Sequence, residues 1–156
     1  MIKQSECKCE LCVEACRKPA HLETGQDWWI SRFLKISKEE LIDKYLVNLP
    51  VAVIGIEGKK FVIRGLRPKI VNGWCIFFKN GLCSIHKVKP FGCKYANHNT
   101  TNKEAEEIMQ YLTQKWYLDN IIKNKLEIFN ESNLKQQEEI NSALNYVFKK
   151  PVRMMI

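Results

Sequence analysis

The architecture hinges on residues 75–94, Cys75-Ile-Phe-Phe-Lys-Asn-Gly-Leu-Cys83-Ser-Ile-His86-Lys-Val-Lys89-Pro90-Phe-Gly-Cys93-Lys94. Two β-prone segments, Ile76–Phe78 and Leu82–Ile85, flank Lys79-Asn80-Gly81. Asn-Gly readily takes the two left-handed positions of a tight turn, so the stretch predicts a short hairpin. Its cysteines lie at Cys75, Cys83 after the turn, and Cys93 just past Pro90-Phe91-Gly92. Gly81 and Gly92 would let backbone approach a bulky inorganic group.

The other thiols crowd the N-terminus at Cys7, Cys9, Cys12 and Cys16. Cys9-Glu-Leu-Cys12 is a C-x2-C step, the spacing by which two thiolates reach one metal from a single turn. Ligands this dense predict a loop that wraps a site. Their neighbours Lys8, Glu10, Glu14, Arg17 and Lys18 are not core residues, which argues against buried structural thiols. The chain has 156 residues and seven cysteines. No apolar h-region precedes the cysteine block and no apolar run reaches the roughly 18 residues of a membrane span. A cytoplasmic, reducing location is therefore expected, and a disulfide framework is a poor reading there. Thiolates select zinc, iron–sulfur clusters or copper(I) over magnesium or calcium. Because 58 residues separate Cys16 from Cys75, either the fold brings the two groups together or there are two sites.

The net charge of +8 is unevenly placed. Residues 59–94 hold nine basic side chains (Lys59, Lys60, Arg64, Arg67, Lys69, Lys79, Lys87, Lys89, Lys94), no acidic ones, and three of the cysteines. Positive charge that coincides with thiols reads as compensation for an anionic metal–thiolate group, with Arg17, Lys87, Lys89 and Lys94 as the candidate cofactor-binding residues. It also suits an acidic partner protein. No zinc-ribbon or RNA-binding pattern supports nucleic acid.

Around the site the sequence predicts one domain of the α+β class, helix-rich and metal-centred, with short β-hairpins and two C-terminal packing helices. Residues 1–98 form the metal-binding part, 99–150 the helical part and 151–156 a tail. Thr24-Gly-Gln-Asp27 has capping-box-like spacing before a helix with Trp28, Trp29, Ile30, Phe33 and Leu34, and Trp28-Trp29 is read as core. Ser37-Lys-Glu-Glu40 fits the capping box and opens a helix through Leu46, which Asn48 and Pro50 stop. Val51–Ile56 and Phe61–Arg64 form a hairpin across Glu57-Gly-Lys-Lys60. Thr101, with Glu104 after it, starts a helix over Asn102 to Phe129, followed by another over Asn133 to Lys149. His21 is read as a surface or packing residue.

Cys9-Glu-Leu-Cys12-Val-Glu-Ala15-Cys16-Arg17 resembles the CxxCxxCC signature of the YkgJ-like cysteine-cluster proteins, described as zinc- or iron-chelating domains. Cys75-Ile-Phe-Phe and Cys83-Ser-Ile-His86-Lys-Val-Lys89-Pro90-Phe-Gly-Cys93-Lys94 resemble that family's second signature, Cys-x-Phe-Leu followed by Cys-x-Ile-Tyr-x-x-Arg-Pro-x-x-Cys-Arg. The resemblance covers roughly residues 7–98. It departs at Ala15, where the family has the first cysteine of its pair and Cys7 is a substitute thiol. It departs again at His86 for tyrosine, which adds a candidate nitrogen ligand, and at Lys89 for arginine.

The metal ligands expected are thus Cys7, Cys9, Cys12, Cys16, Cys75, Cys83, Cys93 and His86, with His98 as a further candidate. Seven thiolates exceed one mononuclear zinc and suit one or two iron–sulfur clusters, 4Fe–4S in type, with zinc as the alternative. No P-loop, GxGxxG, HExxH or nucleophile–base motif is present. The expectation is a cytoplasmic metal-cluster protein acting with a partner protein by electron transfer, redox sensing or cluster delivery. The alternatives are an enzyme similar to the S-adenosylmethionine-dependent flagellin lysine methylases, which the resemblance implies, and a structural zinc module.

Overall fold

Glu57 and Gly58 both take left-handed backbone, with φ of 48° and 76°, the pair of positive angles that a two-residue hairpin turn requires. The strands they join are β1 (Leu46–Ile56) and β2 (Lys59–Pro68), antiparallel from Ile56↔Lys59 to Leu46↔Pro68. The turn is shorter than the expected four residues, because Lys59 and Lys60 pair with Ile56 and Gly55. These details come from a computed structural model, which describes residues 10–95, 100–123, 125–128 and 138, with side chains at 11, 12 and 15 left aside. Cys7, Cys9, His98 and, save for position 138, the helix expected over 133–149 lie outside the described residues.

β1 corrects one expectation. Asn48 and Pro50 lie inside the strand, and Leu46 is its first residue rather than a helical one. Proline has no N–H for a ladder, and the register slips between Pro50 and Ala52. This bulge breaks the in–out alternation and turns Pro50, Val51 and Ala52 inward in succession.

The helices start where their caps are. Ser37 accepts the Glu40 N–H at 3.0 Å and opens the helix Lys38–Tyr45, while the Glu40 carboxylate pairs with Lys44 at 2.8 Å. Thr101 and Glu104 form a reciprocal capping box at the head of the long helix Asn102–Ile122. That helix ends well before the expected Phe129. Near its end Asn120 turns inward and behaves like a piece of strand: its Oδ1 accepts the Arg64 N–H at 3.3 Å and its Nδ2 donates to the Arg64 carbonyl at 2.8 Å. Beyond it, Glu127–Ile128 is a strand paired with Val62 and Phe61, and Glu127 meets the Arg64 guanidinium at 2.9 Å. The helical spacing of Leu118, Ile122 and Leu126 therefore runs past the true end, and Leu118 and Ile122 are exposed.

The helix over Gln26–Leu34 is not capped as expected. Gly25 is its left-handed N-cap, Thr24 donates instead to the Lys115 carbonyl at 3.1 Å, and Asp27 pairs with Lys38 at 2.8 Å. Asp27, Ile30 and Ser31 make the buried stripe. Trp28 and Trp29 fall off it and are 44% and 61% exposed, so they are not core.

Two apolar cores result. Val51, Ala52 and Ile63 pack against Ala105, Ile108, Met109, Leu112 and Trp116 of the long helix. Leu22, Ile30, Leu41, Leu46, Cys75, Phe77 and Ile85 form the other, with Cys16 and Cys83 packed on it. Trp116 bridges toward it by donating to the Leu22 carbonyl at 2.7 Å, and Leu22 in turn donates to the Leu66 carbonyl at 2.7 Å. The class is mixed α+β, as expected, with antiparallel strands throughout.

Candidate metal centre

Each candidate thiol among the described residues is delivered by a different short element. From Glu10 on, the N-terminal block is helical rather than looped: α1 (Glu10–Glu14) runs into a 3-10 turn, Ala15–Arg17, which carries Cys16. Cys12 lies within α1. Ile70–Val71 pairs with Trp74–Cys75 across Asn72-Gly73, and Phe78–Lys79 pairs with Leu82–Cys83 across Asn80-Gly81. All four turn residues have positive φ, between 51° and 79°, so the predicted Asn80-Gly81 turn stands. Its strands are shorter than expected, two residues each. Cys93 sits in a one-turn helix, Phe91–Tyr95.

The position of Cys93 depends on a close approach. A Cβ on Gly92 would lie 2.7 Å from the Ala20 Cβ. With glycine there, segment 19–22 packs onto this helix and the Ala20 N–H points at the Cys93 sulfur at 3.3 Å. Gly92 was expected to admit an inorganic group; it admits Ala20 instead. Gly81 serves its turn, with nothing within 4 Å of a Cβ placed there. Gln26 fixes the preceding segment: its Oε1 accepts the Phe91 N–H at 3.2 Å and its Nε2 donates to the Lys89 carbonyl at 2.7 Å.

Cys16, Cys75, Cys83 and Cys93 carry free thiols within electrostatic reach of one another. Burial pushes the Cys75 and Cys93 thiols up to about 12, and nearby thiols reinforce the shift. Burial also raises Cys16 and Cys83. Backbone amides oppose it at three sulfurs: Phe77 and Phe78 bond to Cys75, Ile85 to Cys83 and Ala20 to Cys93. Lys89 favours the thiolates of Cys16 and Cys83. By itself the pocket holds neutral thiols; its N–H groups and Lys89 are placed to favour thiolates if a cation replaces the protons.

The donor set fits a four-thiolate group in kind. As the side chains stand, no three His, Cys, Asp or Glu among the described residues are arranged to hold a metal ion.

Other expected residues take different places. Arg17 pairs with Glu14 at 2.5 Å and lays its guanidinium 3.9 Å over the Trp74 ring, which stacks on Phe78. It thus braces the Cys16 turn against the Cys75 segment. His86 opens an exposed 3-10 turn, His86–Val88, three residues after Cys83. Lys87 and Lys94 line an open cleft with Lys89, on the side of the Gln26–Leu34 helix. His21 is buried against Trp116, a packing residue as expected. Gln26 and Ala20 were not expected at the site: a lone glutamine and a backbone amide carry no sequence signal. Among the described residues no helix is long and apolar enough to cross a membrane. No protein-family model, curated protein or solved structure matches the chain.

Proposed function

We propose that this chain is a small metal-cluster protein in which Cys16, Cys75, Cys83 and Cys93 bind one iron–sulfur cluster and that it acts together with a partner protein. The observation that carries this reading is the gathering of four thiols from four separate elements, with backbone N–H groups already directed at three of the sulfurs. Four thiolates complete one 4Fe–4S cluster, which supplies one-electron chemistry when bound. Amides bonded to the sulfurs and the nearby Lys89 charge stabilise the anionic assembly and raise its reduction potential. The likeness of the two cysteine segments to the YkgJ-like signatures supports the same reading. Electron transfer, redox sensing and cluster delivery all fit such a protein, and each calls for a partner.

Four thiolates are equally a closed tetrahedral set for structural zinc, which makes zinc the second reading. Anaerobic purification of the full chain, with iron, sulfide and zinc analysis and Mössbauer spectroscopy, separates the two. Brown, air-sensitive protein with matching iron and sulfide is expected. Colourless protein loaded with zinc overturns the iron–sulfur reading. An iron content of two clusters would assign Cys7, Cys9 and Cys12 to the second.

A further inference from the structure

We infer that the cleft walled by Lys87, Lys89 and Lys94 is the docking site for an acidic segment of a partner protein, anchored by an apolar side chain against Trp29. This names the partner chemistry of the reading above and rests on that reading only for the purpose of the contact.

The cleft has a volume of about 400 Å³ and lies between the start of the Gln26–Leu34 helix and segment 87–94. Its charge is lopsided. Three lysines line it against a single acidic residue, Glu23, whose carboxylate accepts a hydrogen bond from the Tyr111 hydroxyl. The walls are held in place before any ligand arrives, because Gln26 bonds to the Lys89 carbonyl and to the Phe91 N–H. A preformed site loses less entropy on binding.

The aromatic residues favour a protein segment over a small anion. Trp29 lines the cleft at 61% exposure, and Phe33, at 42%, follows one helical turn away. The pair extends about 6 Å along the helix, away from the lysines. An ion filling the cleft leaves Phe33 uncovered; a peptide running along the helix covers both. Tryptophan is a frequent anchor of protein interfaces, and lysines beside it steer an acidic partner to the contact. Lys89 also links the cleft to the thiols, since its charge is felt by Cys16 and Cys83. A segment docked here sits beside the candidate centre.

The test uses the full chain, labelled with nitrogen-15, and a synthetic glutamate-rich peptide with one central phenylalanine. AMP and a single-stranded DNA oligonucleotide serve as competitors. Shifts centred on the Trp29 indole, Gly25, Gln26 and residues 87–94 are expected, with affinity falling steeply from about 0.05 M to about 0.3 M salt. Lys87→Glu/Lys94→Glu is expected to weaken binding at least about tenfold, and Trp29→Ala about tenfold with the salt dependence kept. Lys59→Glu, on the β1–β2 hairpin, should leave it unchanged. Shifts centred elsewhere, undiminished binding by the double variant, or displacement of the peptide by AMP or DNA at lower concentration overturns the inference. Metal content measured on the same samples separates the two readings. Metal-free wild type that still binds the peptide here sinks the metal reading alone, and metal-loaded double variant that binds it undiminished sinks the docking inference alone.

Discussion

The half of the molecule built from the β1–β2 hairpin and the long helix differs in kind from the half that carries the thiols. In the former, ten or eleven residues per strand pair along their length, and Ile63, Ile108 and Leu112 are wholly buried between sheet and helix. Apolar area removed from water is enough to hold it, at about 1.5–3 kcal/mol for each large side chain. Around the thiols, two-residue ladders and single helical turns replace long elements, and cysteines occupy places where aliphatic residues would pack. Thiols bury little apolar surface. Under the proposed function, such a region would gain its full stability only when the thiols share a cation.

The largest break in this comparison is expected from Cys93→Ser. It should abolish metal retention in the anaerobically purified chain, a contribution on the order of 10 kcal/mol for structural four-ligand sites. Hydrogen exchange should then show lost protection in residues 75–95 and unchanged protection in residues 105–120. Equal loss in both halves would mean that they do not differ as argued. Leu112→Ala should cost about 2–5 kcal/mol in urea unfolding, by the same amount with and without metal, because its core needs no ligand.

Gly92→Ala tests the joint between the halves. Its new methyl falls 2.7 Å from the Ala20 Cβ, so the backbone must part, at about 1–3 kcal/mol and with weaker metal binding. Ala20→Gly added to it should restore most of both; failure of that rescue would place the fault elsewhere.

Per unit of pH, the smallest effect is that of His21. Burial, reinforced by Arg67, holds His21 neutral with its pKa lowered to about 3 from 6.5. Between those values the unfolded chain binds a proton that the folded chain refuses, so stability falls as pH falls through this window. The slope from this one group is at most about 1.4 kcal/mol per pH unit. His21→Leu should flatten the pH dependence of urea unfolding by that amount; an unchanged slope would show that His21 is not held neutral.

Much of the fold can be read from short-range chemistry. Ser37 and Thr101 mark their helix starts, and Asn80-Gly81 marks its turn, because each satisfies or permits backbone within three or four residues. Asn72-Gly73 carries the same signal and makes the same turn. Ends were harder to read. Pro50 stops a helix on paper but sits at a bulge, and the apolar spacing through Leu126 continues past a helix that Asn120 has already tied to Arg64. Trp28 and Trp29 look like core by composition, yet Asp27 and Ser31 take the buried face because Lys38 and the Trp28 carbonyl satisfy them.

The turn positions, the helix starts at Ser37 and Thr101, the soft-ligand chemistry of the cysteines and the basic charge around them are legible in the chain alone, since each depends on residue type and near neighbours. Packing across the fold brings Cys16 near Cys75, Cys83 and Cys93, lets Ala20 and Gly92 set the position of the last, and puts Lys89 within electrostatic reach of Cys16 and Cys83. Those outcomes link residues up to 77 positions apart, Cys16 and Cys93. Over such distances local preference carries no information, and the packing of the segment around Leu22 against Leu66 and Trp116 settles which groups meet.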